Sequence, residues 1–138
     1  MNYKHSKIAA IVTGIVLVAF AATSTLHAAD AQPPIKRDVV LKEDMSIPGR
    51  EGVMVYVDIA PGAAEGKHTH PAEVYAFLLE GTILLEIDGK PTVTLKAGDI
   101  FHVPPNTIHQ ATNTGTTPVK LAVVFVAEKG KPLTTPVK

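Results

Sequence analysis

Six histidines occur in the 138 residues. His5 and His27 lie in an N-terminal segment treated below. His68, His70, His102 and His109 are the residues that could do chemistry. In the stretch HTHPAEVYAFLLEG, from His68 to Gly81, two histidines stand two apart. On a strand, residues i and i+2 share a face, so His68 and His70 can aim at one point. Neutral imidazole is the commonest protein ligand for ions such as Zn, Cu, Fe and Ni. A third histidine, His109, brought from another strand would complete a three-nitrogen site. The expected cofactor is therefore a divalent transition metal (Fe, Mn, Ni, Zn or Cu) whose identity the residues do not encode. Glu73 is the nearest acid, but it follows His70 by three, so a regular strand turns it the other way.

The elements that must position these residues all read as strands. Val53–Ala60 alternates Val53, Val55, Val57 and Ile59 with Met54, Tyr56 and Asp58, the two-residue period of a half-buried strand. Pro61-Gly62 closes it as a turn. Thr82–Gly89 ends in Asp88-Gly89, a hairpin signal, and Thr92–Asp99 follows it. Ile100–Val103 runs into Pro104-Pro105-Asn106. Leu121–Glu128 is a long apolar run expected to be buried on both faces. Gln32–Arg37 reads as a lead-in, Val39–Leu41 as a short strand, and the tail from Lys129 as a mobile end or a surface strap. No window carries an amphipathic helix of useful length. Many short strands separated by Gly and Pro turns predict an all-β fold, a small antiparallel barrel.

Two motifs organise the histidines. The first is Gly62, five residues, His68, Thr69, His70, an acid and then Gly81. The second is Gly98, five residues, Pro104-Pro105-Asn106, two residues, His109, three residues, Asn113. Together they resemble the cupin superfamily, with the forms G-x5-H-x-H-x3/4-E-x6-G and G-x5-P-x-G-x2-H-x3-N. The resemblance covers Val53 to Glu128 and is greatest to small, exported, single-domain cupins. It implies a jelly-roll barrel, or double-stranded β-helix, with His68, His70 and His109 as metal ligands. The family acid falls at position 74, counted either forward from His70 or back from Gly81, and that position is Val74. Either the fourth ligand is missing, or Glu73 replaces it through a one-residue irregularity at Pro71, a residue confined in strands to edges and bulges. Asn106 stands where the family has glycine, and Asn tolerates left-handed backbone well. Asn113 reads as a turn residue that bonds backbone. His102 occupies no family ligand position and reads as structural or rim-lining. Tyr75, Phe77, Leu79 and Phe125 read as core or subunit-contact residues.

Three readings of activity follow from the resemblance. One is a metal-dependent oxidoreductase of the dioxygenase type. Three histidines alone resemble the cysteine dioxygenase type of cupin, whereas the quercetinase type relies on a carboxylate base. The second is a small-molecule or metal binding or sensing module without turnover. The third, a sugar isomerase or epimerase, needs a base and cationic groups. Lys67 is the only basic residue beside the motifs, which ranks it lowest.

Met1–Lys7 carries Lys4 and Lys7 and no acid, and Ile8–Ala22 is uninterrupted apolar and small. Small residues at cleavage spacing follow, with exits after Ala28, Ala29 or Ala31. This is the pattern of a secretory signal peptide over residues 1–29, followed by a single domain over 30–138. The apolar run is shorter than the ~20 residues that cross hydrocarbon. The expected location is periplasmic or secreted, with no membrane contact after cleavage. The chain has no cysteine, so disulfides and thiol chemistry are excluded. Loss of Lys4 and Lys7 leaves a slightly acidic chain, and no basic patch points to nucleic acid. The expected partners are a small-molecule ligand and a second copy of the chain, as a homodimer.

Overall fold

A computed structural model describes residues 33–138. The expected signal peptide lies outside the described residues. The described residues form ten strands: β1 (Ile35–Asp44), β2 (Arg50–Ile59), β3 (His68–Thr69), β4 (Ala72–Glu80), β5 (Thr82–Ile87), β6 (Val93–Lys96), β7 (Ile100–Val103), β8 (His109–Asn113), β9 (Val119–Glu128) and β10 (Thr135–Pro136). They pair as two five-stranded sheets, β1-β2-β9-β4-β7 and β10-β3-β8-β5-β6. Every pairing is antiparallel. The all-β fold expected from the strand pattern, and the jelly roll that the resemblance implies, are the architecture found.

The alternation in the sequence decides which side chains meet between the sheets. Val53, Val55, Val57 and Ile59 of β2 are buried, as are Ala72, Val74, Ala76 and Leu78 of β4 and Ile83, Leu85 and Ile87 of β5. Each large aliphatic group so buried stabilises the fold by about 1.5–3 kcal/mol relative to exposure. Ile59, Leu78 and Ile83 have no measurable exposure, so truncating one to alanine should cost about 2–5 kcal/mol.

Several segments differ from their sequence reading. Ile35–Arg37 at the end of the lead-in and the short strand at Val39–Leu41 are parts of one ten-residue strand, β1, interrupted by a register shift between Val39 and Leu41. Backbone pairing with β2 overrides the weak local pattern there. Leu121–Glu128 is not buried on both faces. In β9 Leu121, Val123, Phe125 and Ala127 are buried, while Ala122, Val124 and Val126 are half-exposed. The sheet has one inner face, and nothing among the described residues layers over the other. The tail is a strap. Thr135 and Pro136 pair with Thr69 and His68, and the Val137 amide donates to the Lys67 carbonyl at 3.0 Å.

The motif residues earn their places through backbone geometry. Gly81 has a φ of 85°, and a Cβ there would meet a Val119 methyl at 2.6 Å. No residue with a side chain fits the β4–β5 corner without displacing the core. Asn106 has a φ of 58°, so it does supply the left-handed turn usually left to glycine. Buried Asn113 donates to the carbonyls of Ile59 and Thr117, both at 2.9 Å, and accepts from the Gly115 amide.

Candidate metal centre

His68 and His109 face each other directly across the β3–β8 pairing. His70 sits where the chain leaves β3 for β4, which means leaving one sheet for the other. That corner is pinned, because the Asn106 amide donates to the His70 carbonyl at 2.7 Å. The turn of the second motif therefore fixes the histidine pair of the first. All three rings are buried. Their centroids lie 4.7 Å (His68–His70), 4.3 Å (His68–His109) and 5.0 Å (His70–His109) apart. One nitrogen from each comes within 4.8 Å of the others.

The hydrogen bonds define which nitrogen is free. Nδ1 of His68 donates to the Gly66 carbonyl at 2.7 Å, Nδ1 of His70 to the Leu133 carbonyl at 2.7 Å, and Nδ1 of His109 to the Thr107 carbonyl at 3.0 Å. A carbonyl only accepts, so Nδ1 carries the proton in each neutral ring. Nε2 is left with its lone pair, the tautomer a ligating histidine needs and the outer-shell pattern usual for one. Burial, above all, holds His70 well below the usual histidine range, at about 4. The Leu133 carbonyl works against this, and His68, His109 and Arg37 add smaller downward pushes. Burial likewise lowers His109, opposed by the Thr107 carbonyl. Neutral rings with converging lone pairs fit a divalent transition ion.

Beside the trio lies a cavity of about 100 Å³. Its walls are apolar and include Val55, Val74, Leu85, Val123 and Phe125. Phe125 packs edge-on against His70, with centroids 4.9 Å apart. Val74, at the family's acid position, faces this cavity. Glu73 does not. Burial alternates without a break from His68 through Pro71 to Leu78, so Pro71 introduces no change of parity. Glu73 lies on the outer face, and its Oε2 accepts from Nε2 of His102 at 2.6 Å. Glu73 is thus corrected from a candidate ligand to a partner of His102. His102 is exposed and stacks on Tyr75, with centroids 4.8 Å apart and planes 23° from parallel.

Four contributors to the site were missed from sequence. Leu133, in the tail, supplies the carbonyl that orients His70, and it lines the cavity with Thr134. Arg37 of β1 and Glu65 of the β2–β3 loop also line it, ion-paired at 3.0 Å. Lys67 is therefore not the only basic residue near the motifs once the chain is folded. No local pattern marks these residues. The pairings of β10 with β3 and of β1 with β2, and the bridge from Ala64 to Thr112 of β8, bring them here.

A two-sheet jelly roll with three histidines converging inside it defines a class, the jelly-roll barrel with a candidate metal site. The chain belongs to the cupin family: the cupin-domain profile matches residues 55–125, slightly more than half of it. It is 35% identical over 89 residues to germin-like protein subfamily 2 member 1 of Arabidopsis thaliana, a match covering 59% of this chain and 41% of that protein. Germin-like protein 5-1 of Oryza sativa subsp. japonica matches at 35% over 77 residues, 52% of this chain and 35% of that one. The chain thus spans less than half the length of these relatives. Among solved structures, a Klebsiella pneumoniae protein with a double-stranded β-helix domain superposes with a TM-score of 0.64 at 22% identity, covering 80% of this chain and 90% of that one. An oxalate oxidase in complex with the substrate analogue glycolate superposes with a TM-score of 0.57 at 28% identity, covering 62% of this chain and 46% of that one.

Proposed function

We propose that His68, His70 and His109 hold a divalent transition metal through Nε2, and that the adjoining cavity binds a small molecule for a dioxygenase-type oxidoreductase reaction. The carrying observation is the set of three Nδ1–carbonyl bonds, which presents three lone pairs to one point. Bound there, the ion would supply Lewis acidity and, if redox-active, a path for electrons. The chain's own part is to keep three rings neutral and oriented, and to exclude bulk water with aliphatic walls. The 28% identical oxalate oxidase, which holds glycolate, supports a small ligand.

A second reading, a binding or sensing module without turnover, is favoured by Val74. Among the described residues no carboxylate joins the histidine cluster to act as a base. Metal analysis of protein purified without chelator or nickel affinity resin, followed by an oxygen-uptake screen, tests both. Metal bound at one per chain and lost in His109→Ala is the expected result, because a two-ligand remnant binds far more weakly. Undiminished metal in that variant would refute the assignment. Failure of every small molecule tried to elicit oxygen uptake would favour the binding module.

Export and pairing belong to the same proposal. The basic start and apolar run of residues 1–22 support a cleaved signal peptide, and sequencing the N-terminus from the native compartment checks it. A mature chain still starting at Met1 would sink it. Exposed Tyr75 and Phe77 on the outer face support a homodimer, which sedimentation would detect.

A further inference from the structure

We propose that Arg37 is a carboxylate anchor at the mouth of the histidine cavity, and that Glu65 is an internal stand-in which a small organic acid displaces. The inference rests on the metal-binding reading only for what the far end of the ligand meets. Arg37 pairs in register with Val57, whose side chain is in the core. The guanidinium is therefore delivered to the inner face, although β1 is an exposed edge strand. Glu65 is held from the other side. Its amide donates to the Ala111 carbonyl at 3.0 Å, and its neighbour Ala64 bridges to Thr112. Its carboxylate is thus fixed over β8, the strand that begins with His109.

The pair itself is lopsided. Nη2 of Arg37 meets Oε1 of Glu65 at 3.0 Å, with the Glu65 side chain 13% exposed and that of Arg37 43% exposed. A guanidinium has five donors in a planar fork. One bond to Glu65 leaves room for a second, better-aligned carboxylate, and bidentate pairs are the stronger ones. Apart from the histidines, Arg37 and Glu65 are the ionisable groups among the cavity's lining residues. Aliphatic walls offer a ligand no polar partner, so its charged end has to be met at this mouth. A dication on three neutral imidazoles in such walls is also an uncompensated charge, which favours an anionic guest. Arg37, Glu65, His68 and Thr134 line an adjoining outer groove as well, together with Lys67. The cationic groups there give an anion an approach to the cavity. The chemistry selects an acid with one carboxylate and a body of a few heavy atoms.

NMR titration of propionate, with propionamide as the neutral control, into zinc-loaded and metal-free protein tests this. Arg37→Gln should weaken propionate binding about tenfold or more, the scale of a hydrogen bond to a charged group. Propionamide should be unaffected, and Arg37→Lys should recover only part, since it keeps the charge but not the fork. Glu65→Gln should tighten propionate by about two- to fivefold, because it removes a competitor worth a partly exposed ion pair. Lys67→Gln should stay within about twofold, as expected for a screened charge in the outer groove. The anchor is overturned if Arg37→Gln leaves propionate unchanged, if Glu65→Gln weakens it, or if Lys67→Gln costs as much as Arg37→Gln. Zinc content measured alongside separates the two claims. Absence of zinc in the parent sinks the metal reading, whereas retained zinc with propionate indifferent to Arg37 sinks only the anchor.

Discussion

Histidine appears both inside the barrel and on its outer face, and the two sides treat it differently. Inside the barrel, His68, His70 and His109 each give Nδ1 to a backbone carbonyl and keep Nε2 free. Outside, His102 spends its Nε2 on Glu73 and lays its ring on Tyr75. A backbone carbonyl cannot move away or take up a proton, so it fixes a tautomer. Outside, the carboxylate of Glu73 occupies the ring nitrogen that a metal would need. The same residue type thus makes a candidate ligand set on one face and a surface hydrogen-bonded pair on the other. The distinction lies in the partner of each nitrogen and in burial.

The sharpest way to break this comparison is to move an acid from the outer face to the inner one. Val74→Glu places a carboxylate among the cavity walls. Metal-free protein should lose about 2 kcal/mol or more, because the group is buried without a partner. Metal should restore most of that loss, and preference should shift toward Mn or Fe, which suit carboxylate oxygen better than imidazole alone does. Thermal melts with and without each ion check it. Equal destabilisation in both states would show that position 74 does not address the histidines.

Removing the strap tests whether the carbonyl partner matters as argued. Truncation after Lys131 deletes Leu133 and the β10 pairing, and with them the group that orients His70. Metal affinity should fall about 10- to 100-fold, the range for outer-shell losses. The remaining barrel should stay folded, since the core cluster lies outside the tail. Competition titration with a chelator reads the affinity, and circular dichroism reads the fold.

Acid should act on the inner set in the metal-free protein. His70 is held at about 4 in the fold against an ordinary 6.5, with His109 lowered in the same direction. The unfolded chain therefore takes up protons first. Stability is fully present above about 6.5 and falls as pH drops toward 4, by on the order of 1–2 kcal/mol. Denaturant midpoints at pH 7 and pH 4.5 measure it. Glu73→Gln should change metal affinity, read by chelator competition, by less than about twofold, and stability, read by denaturant midpoint, by less than about 1 kcal/mol, as for other exposed pairs. A large affinity loss there would mean that Glu73 can reach the inner face.

The two-residue alternation of β2 was readable along the chain because a one-sided strand must bury every second residue. It extended to the site, since the parity count that sends Glu73 outward and Val74 inward needs only a strand without a bulge. Gly81 and Asn106 were legible for a related reason. A left-handed backbone position tolerates few residue types.

What the chain alone determined, then, is the all-β class, the inward histidine pair and the empty place left by valine at position 74. These follow from local rules of parity and backbone freedom. The tertiary structure decided the rest. It chose which carbonyl orients His70, which side of β9 meets the core, and that Arg37 and Glu65 meet at the cavity mouth. Those outcomes depend on pairings between residues far apart in sequence, such as Thr135 with Thr69 and Arg37 with Val57. No local periodicity encodes such a pairing. It exists only once the two sheets have closed on a shared core, because that is when the backbone groups of β1 and β10 find their partners.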